Sequence, residues 1–380
     1  MIKKTPAIIK VLLVEDEKDQ LDMIEETIKD FNEEQNEHYI ESTKAFNLEE
    51  ALKALISEDY DAAILDLQLD KTKAIEDGLD GNHLIEIIKN KLRFPIFVRT
   101  GFPGKVTGRE HSFFKVHTKD DDVYDILQEI KQIYTKGFTT TIGTKGKLEE
   151  QLNDIFWNQL SHNIEDWDQS ILTEDEYERA LVRYCITLLQ EHLDLNENDD
   201  LDIYHPAEVY IKPPIKSNYY SGDILIDRDG KYFIILSPPC DMAQNKYEKV
   251  IIAEIEIEND QFNDFTSTFN NKDSTRKQKD SAYKSLTKMV KNNFSLRYHF
   301  LPKTNSFNGG FVNFQKLSSK GKEEIMELER VATVCEKFSK DITSRFSQYF
   351  SRQGQPDMNP NYLISQMTEK MIQHQRKVTN

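Results

Sequence analysis

Three apolar runs in the first hundred residues each stop at a polar side chain, and this pattern constrains the fold more than any other feature. Val11-Leu12-Leu13-Val14 is followed by Glu15-Asp16-Glu17, Ala62-Ala63-Ile64-Leu65 by Asp66, and Pro95-Ile96-Phe97-Val98-Arg99 by Thr100-Gly101. Short apolar runs of this kind, separated by segments of helical period, read as buried parallel strands. In open α/β sheets, ligands bind in the crevice outside the carboxyl ends of the strands. Three carboxylates delivered to one crevice make a site for a hard divalent cation, and one of them can act as a nucleophile.

The segments between the runs fit this reading. Leu21, Ile24, Ile28 and Phe31 recur at helical spacing, as do Ala51, Leu52 and Leu55 within 48–56, and Leu84, Ile87 and Ile88 within 83–91. Tyr39 to Thr43 is a candidate edge strand, a polar insert runs from Asp70 to Asp80, and Phe113-Phe114-Lys115-Val116 predicts a fifth strand. Asp122 stands as N-cap to a last helix carrying Val123, Ile126, Leu127, Ile130 and Ile133. The expected fold of residues 1–135 is therefore α/β, a doubly wound five-stranded parallel sheet of flavodoxin-like type.

The acidic pair Glu15-Asp16, then Asp66, Thr100 and a lysine after the fifth strand come in an order that resembles the receiver domain of two-component response regulators. The resemblance implies Asp66 as phosphoacceptor, and Mg²⁺ held by Glu15, Asp16, Asp66 and the main-chain carbonyl of Gln68. It also implies Thr100 as the switch residue that hydrogen-bonds a phosphoryl oxygen, and a lysine that pairs with another. Lys115 is favoured for that role because it follows two apolar residues, although Val116 stands where the family has proline; Lys119 is the other candidate. Glycines and a proline crowd 101–112, so the family's fourth helix is expected to be degenerate or missing. The implied partner is a histidine kinase or GHKL-type ATPase, and the receiver would catalyse only its own phosphorylation and dephosphorylation.

At 380 residues the chain is long for one core. Its 49 Lys+Arg against 66 Asp+Glu, a net −17, disfavours nucleic acid unless basic residues cluster locally. DNA is not expected as a partner; RNA stays open. No apolar run approaches the roughly 20 residues of a membrane span, and the first residues lack a signal-peptide h-region. The scattered Cys185, Cys240 and Cys335 fit neither a disulfide framework nor zinc spacing, so a cytoplasmic location is expected.

The remainder divides into a Gly/Thr-rich linker (136–147), a helical segment (148–205), a small β-barrel-like α+β domain with a helical insert (206–319), and a C-terminal helix and tail (320–380). The helical segment has periodic stretches over 148–160 and 174–193, the second opened by a capping-box pattern at Thr173 and Glu176. Trp157 and Trp167 are expected as core aromatics. The run from Gly222 to Pro238 resembles the SH3-like barrel of MazF/PemK endoribonuclease toxins, but Lys231-Tyr232 stands where that family has its catalytic Arg. Cys240-Asp241 reads either as a ligand-contacting or nucleophilic pair, a possible output site, or as a small buried residue beside a turn cap. The lack of a nearby His favours the second reading. A helix expected over 320–350 is long enough to pack across domains or to pair with a second subunit, which leaves a homodimer open.

The leading expectation is a response-regulator-like signalling protein with a non-transcriptional output module. Proteins of that build often sit in bacterial conflict or phage-defence systems, an inference from family resemblance alone. The alternatives are a phosphorylation-gated RNA-acting enzyme, supported by basic residues 276, 277, 279, 284, 288 and 291, or a pseudo-receiver used for docking.

Overall fold

A computed structural model of the chain describes residues 6–69, 80–194, 202–352 and 356–368. The contacts divide it into two units, residues 1–202 and 203–380. The insert expected over 70–80 lies almost wholly outside the described residues.

In the first unit the strands are β1 (Ala7–Val14), β2 (His38–Ala45), β3 (Ala62–Leu65), β4 (Ile96–Thr100) and β5 (Phe114–Thr118). They form one parallel sheet in the order β2-β1-β3-β4-β5, the doubly wound flavodoxin-like arrangement. Helices α1 (Lys18–Glu33) and α4 (Val123–Thr135) bury Leu21, Ile24, Ile28, Phe31, Ile126 and Ile130 on one face. Helices α2 (Leu48–Ser57) and α3 (Asp80–Lys91) bury Ala51, Leu84, Ile85 and Ile88 on the other. Each buried Leu, Ile or Phe among these contributes about 1.5–3 kcal/mol. Asn47 caps α2 through the Glu50 amide, and Asp122 caps α4 through the Tyr124 amide.

Between β4 and β5 the described chain forms only a 3₁₀ turn, Pro103–Lys105, so the fourth helix of the receiver pattern is absent there. Phe114, fully buried in β5, is covered instead by Val106 and by the Lys89 ammonium, 3.4 Å from the ring centre.

The expected linker is not free chain. It folds into α5 (Phe138–Ile142) and leads into α6 (Lys147–Ile155), with Thr139 buried and the Phe138 ring edge-on to Phe113 at 5.4 Å. Arg93 donates to the Ile142 carbonyl and pairs with Glu149, and Lys145 pairs with Asp59. The α6 path continues through a π turn (Phe156–Leu160) and the short α7 (Ser161–Asn163) before α8 (Glu174–Leu193), which carries the Thr173/Glu176 capping box. Trp157 is not core: it is 69% exposed, because it lies in the π turn and not on the packed side of α6. Trp167 is half-buried, its ring against Tyr177 and Tyr184.

The second unit contains β6 (Tyr210–Ile211), β7 (Asp223–Ile226), β8 (Tyr232–Ile235), α9 (Pro239–Ala243), β9 (Lys249–Glu256), α10 (Asp260–Asn270), α11 (Arg276–Val290), β10 (Tyr298–Leu301), β11 (Gly310–Gly321), α12 (Lys322–Met326), β12 (Glu329–Val334) and α13 (Glu336–Ser351). Its strands form an antiparallel sheet in the order β10-β11-β9-β8-β7-β12-β6. The sheet curls until its edges approach: the Tyr210 hydroxyl donates to the Pro302 carbonyl at 2.7 Å, and Val209, Leu301, Phe307 and Ile342 share one core. The result is barrel-like.

One expected element is replaced. The helix placed over 320–350 is the end of β11, then α12, β12 and α13. Leu328, Val331 and Val334 fit a helical spacing, but Ala332, Thr333 and Val334 are all buried in a strand between β7 and β6. The homodimer expectation, which rested on that helix's length, loses its support.

Candidate functional site

The carboxyl ends of β1, β3, β4 and β5 bring their polar residues to one crevice. Glu15, Asp16 and Asp66 each offer a carboxylate oxygen, and these oxygens lie within 4.8 Å of one another. Glu15 and Asp66 are 3% exposed and Thr100 is fully buried. The parallel register does the positioning. The Asp66 amide donates to the Val14 carbonyl at 2.8 Å, and the Glu15 amide to the Ala45 carbonyl at 3.1 Å. The Asp66 side chain accepts from the Leu67 amide at 2.6 Å, and the Thr100 hydroxyl oxygen accepts from the Phe102 amide at 3.2 Å. Gln68 is buried two residues beyond Asp66.

Lys119, not Lys115, is the lysine of this crevice. Its ammonium lies 2.9 Å from Asp66 Oδ2, 3.0 Å from Glu15 Oε2 and 3.7 Å from Glu17. Lys115 faces Glu129 at 3.8 Å on the outside. The physical reason is strand length: β5 continues through His117 and Thr118, with Thr118 level with Thr100, so the residue that leaves its end is Lys119.

Crowded charge sets the protonation of the site. Burial, and then the Asp66 charge, push the Glu15 carboxyl up to about 7, against the pull of Lys119. Burial lowers the Lys119 ammonium, but the hydrogen bonds to Asp66 and Glu15 outweigh it and the net shift is upward. Asp16 Oδ1 is buried with no hydrogen-bond partner. An orphaned carboxylate oxygen beside two more carboxylates is the donor set a hard divalent cation requires, and it fits Mg²⁺.

Two residues that the sequence reading did not assign belong to the site. Arg99, 4% exposed on β4, donates to Gln20 Oε1 at 2.9 Å and to the Lys119 carbonyl. A lone arginine inside an apolar strand was the signal for it. Gly81, at the start of α3, donates its amide to the Leu67 carbonyl at 3.1 Å. A Cβ there would stand 2.4 Å from the Asp66 carbonyl oxygen. The α3 backbone therefore presses on the strand end that carries Asp66.

Cys240 and Asp241 form no comparable site. Both are exposed in the first turn of α9, the thiol 3.5 Å from Asp241 Oδ1, and no other reactive group meets them among the described residues. Cys240 is thus not the buried residue expected either.

No protein-family model matches the chain, and no curated protein matches it. Solved structures match over its first third. A CheY-like response regulator receiver domain from Methylobacillus flagellatus is 21% identical (TM-score 0.26), over 33% of this chain and 99% of that one. A two-component response regulator from Clostridium difficile is 20% identical (TM-score 0.26), over 34% and 97%. The response regulator TrrA of Thermotoga maritima, in complex with Mg²⁺-BeF, is 23% identical (TM-score 0.24), over 33% and 98%. At such identities and scores the likeness carries no inference about chemistry. Among the described residues, no helix is long and apolar enough to cross a membrane.

Proposed function

We propose that residues 6–135 act as a phosphoacceptor receiver in a response-regulator-like signalling protein, with Asp66 taking a phosphoryl group from a histidine kinase or a related ATPase. The observation that supports this most is the convergence of Glu15, Asp16 and Asp66 with Lys119 seated on Asp66 Oδ2. A carboxylate oxygen of Asp66 would attack phosphorus to form an acyl phosphate as the bond from phosphorus to the donor breaks and the donor leaves. Phosphoryl transfer depends mostly on positioning and charge neutralisation. Glu15, Asp16, Asp66 and the Gln68 carbonyl would hold Mg²⁺, which supplies that neutralisation when bound. Lys119 would pair with a phosphoryl oxygen, and the Thr100 hydroxyl would donate to another.

The test is incubation of the full chain with Mg²⁺ and acetyl phosphate, beside Asp66→Asn. A phosphoprotein present in the parent and lost in the variant supports the reading. No phosphoprotein in either would make the domain a docking module. The second unit would be the output module; its exposed Cys240 and Asp241 give no support to a catalytic role for that pair.

A further inference from the structure

We infer that the lysine face of α11, in the unit that does not hold Asp66, is a contact surface for the phosphate backbone of a single-stranded nucleic acid. The two units differ sharply in charge. Residues 1–202 carry 23 Lys+Arg against 45 Asp+Glu, whereas residues 203–380 carry 26 against 21. The acidity of the chain thus lies wholly in its first unit, and the second is basic. Such asymmetry between halves points to a polyanionic partner for the basic one.

Within that unit the positive charge is concentrated on α11, which holds Arg276, Lys277, Lys279, Lys284 and Lys288, with Lys291 at its end and Asp280 as its one acidic residue. At 3.6 residues per turn, Lys277, Lys284 and Lys288 fall within an arc of about 40° and span about 16 Å. They are exposed and turned away from Ala282 and Met289, which are buried where α11 packs on α10 and β10.

The cations of this face are unpaired, and part of them stands where the helix opposes positive charge. Lys53 pairs with Glu49 at 2.6 Å and Lys340 with Glu336 at 2.9 Å, each one turn apart, whereas Asp280, one turn from both Arg276 and Lys284, pairs with neither. Among the described residues none of the six basic groups of α11 forms an ion pair. Three of them, Arg276, Lys277 and Lys279, sit at the helix N-terminus with no acidic residue in the first turn, where the macrodipole opposes positive charge. The sequence therefore gives up stability to keep cations there.

Ala282 and Met289 of α11 are spent on packing, and its exposed apolar residues, Tyr283 and Val290, are too few to make the continuous apolar face that insertion into a lipid surface requires. The ring of Tyr283 (59% exposed) stands one turn after Lys279, on the side of α11 that carries Arg276 and Lys279, and lies 5.8 Å from the ring of Phe269 (41% exposed); together they offer unpaired bases a stacking surface next to those two cations. That combination of cations and open aromatic faces is the chemistry of single-strand binding.

The experiment is fluorescence anisotropy of the full chain with labelled mixed-sequence RNA of roughly 20 nucleotides, and with a duplex of the same length, at salt from about 50 to 200 mM. The parent should bind the single strand with a strong salt dependence. Lys277→Gln/Lys284→Gln/Lys288→Gln, all exposed and safe for folding, should weaken binding at least tenfold and reduce the log–log salt slope by about 2, at about 0.7 per lost phosphate contact. Lys246→Gln/Lys303→Gln, exposed elsewhere on the same unit, should change affinity less than twofold. No binding by the parent, equal loss in the control pair, or an unchanged triple variant would overturn the inference. Equal affinity for the duplex would overturn the stacking role of Tyr283.

Discussion

The Arg99 guanidinium donates to the main-chain carbonyl of Lys119, tying the end of β5 to the middle of the crevice, while its other arm donates to Gln20 on α1. Lys119 in turn reaches Asp66. Arg99 is thus a positioning residue that acts through Lys119. Arg99→Ala should lower the initial rate of Asp66 phosphorylation by about tenfold. Arg99→Lys should restore little of it, since one ammonium cannot serve both partners of a planar fork. A double-mutant cycle with Lys119→Ala separates positioning from general damage: the two losses should be far from additive. Additive losses would mean that Arg99 works independently of Lys119.

The two candidate lysines make opposite predictions. Lys119→Ala removes the ammonium 2.9 Å from Asp66 and should cut the phosphoprotein yield from acetyl phosphate at least tenfold. Lys115→Ala removes an exposed partner of Glu129 and should leave the yield within about twofold, because exposed ion pairs contribute little. The reverse pattern would return the role to Lys115.

That contrast also shows what the sequence discloses and what it hides. Strands β1, β3 and β4 are legible because both faces are buried and the apolar runs are unbroken. Strand β5 is an edge strand whose later residues, Val116, His117 and Thr118, are half-buried, so the apolar pair Phe113-Phe114 marks its start and nothing in the sequence marks its end, and the favoured lysine lies four residues short of Lys119. β12 was hidden for another reason: the spacing of Leu328, Val331 and Val334 is helical, and only the pairing with β7 and β6, which buries the consecutive Ala332, Thr333 and Val334, makes the segment a strand. Helix α10 carried a readable signal, Asn259 before Phe262, Phe265 and Phe269, that the surrounding polar residues masked. Asp66, Glu15 and Asp16 were legible because a carboxylate after an apolar strand has one place to go.

Gly81 has no room for a side chain. A Cβ would meet the Asp66 carbonyl oxygen at 2.4 Å and Leu67 Cα at 2.7 Å, both backbone atoms that cannot swing aside. Gly81→Ala should destabilise the first unit by about 1–3 kcal/mol, the usual cost of overpacking. It should also weaken Mg²⁺ binding, since the strain falls on the residue that carries a ligand. Both tryptophans lie in this unit, so urea unfolding followed by their fluorescence reads the stability directly. An unchanged midpoint would show that α3 can retreat from β3.

His299 gives the second unit an acid sensitivity of its own. The ring is 5% exposed and its Nδ1 has no hydrogen-bond partner. Burial, and then the neighbouring Arg345, push its pKa down to about 3. Asp341 lies 3.5 Å from Nδ1, but that carboxylate is 59% exposed, and water screens what it could offset. Above the unfolded pKa of about 6.5 the ring is neutral in both states and contributes no pH dependence. Below it the unfolded chain binds a proton that the folded chain does not, so stability falls with pH towards the folded value, at up to about 1.4 kcal/mol per unit. From pH 7.5 to 5 the parent should lose on the order of 2 kcal/mol relative to His299→Gln, which cannot take up that proton. Tryptophan fluorescence does not report on this unit. The measurement is therefore hydrogen exchange of the β10 and β11 amides by mass spectrometry, where protection of the parent relative to the variant should fall as pH falls. Parallel behaviour across that range would show that His299 is not held neutral by the fold.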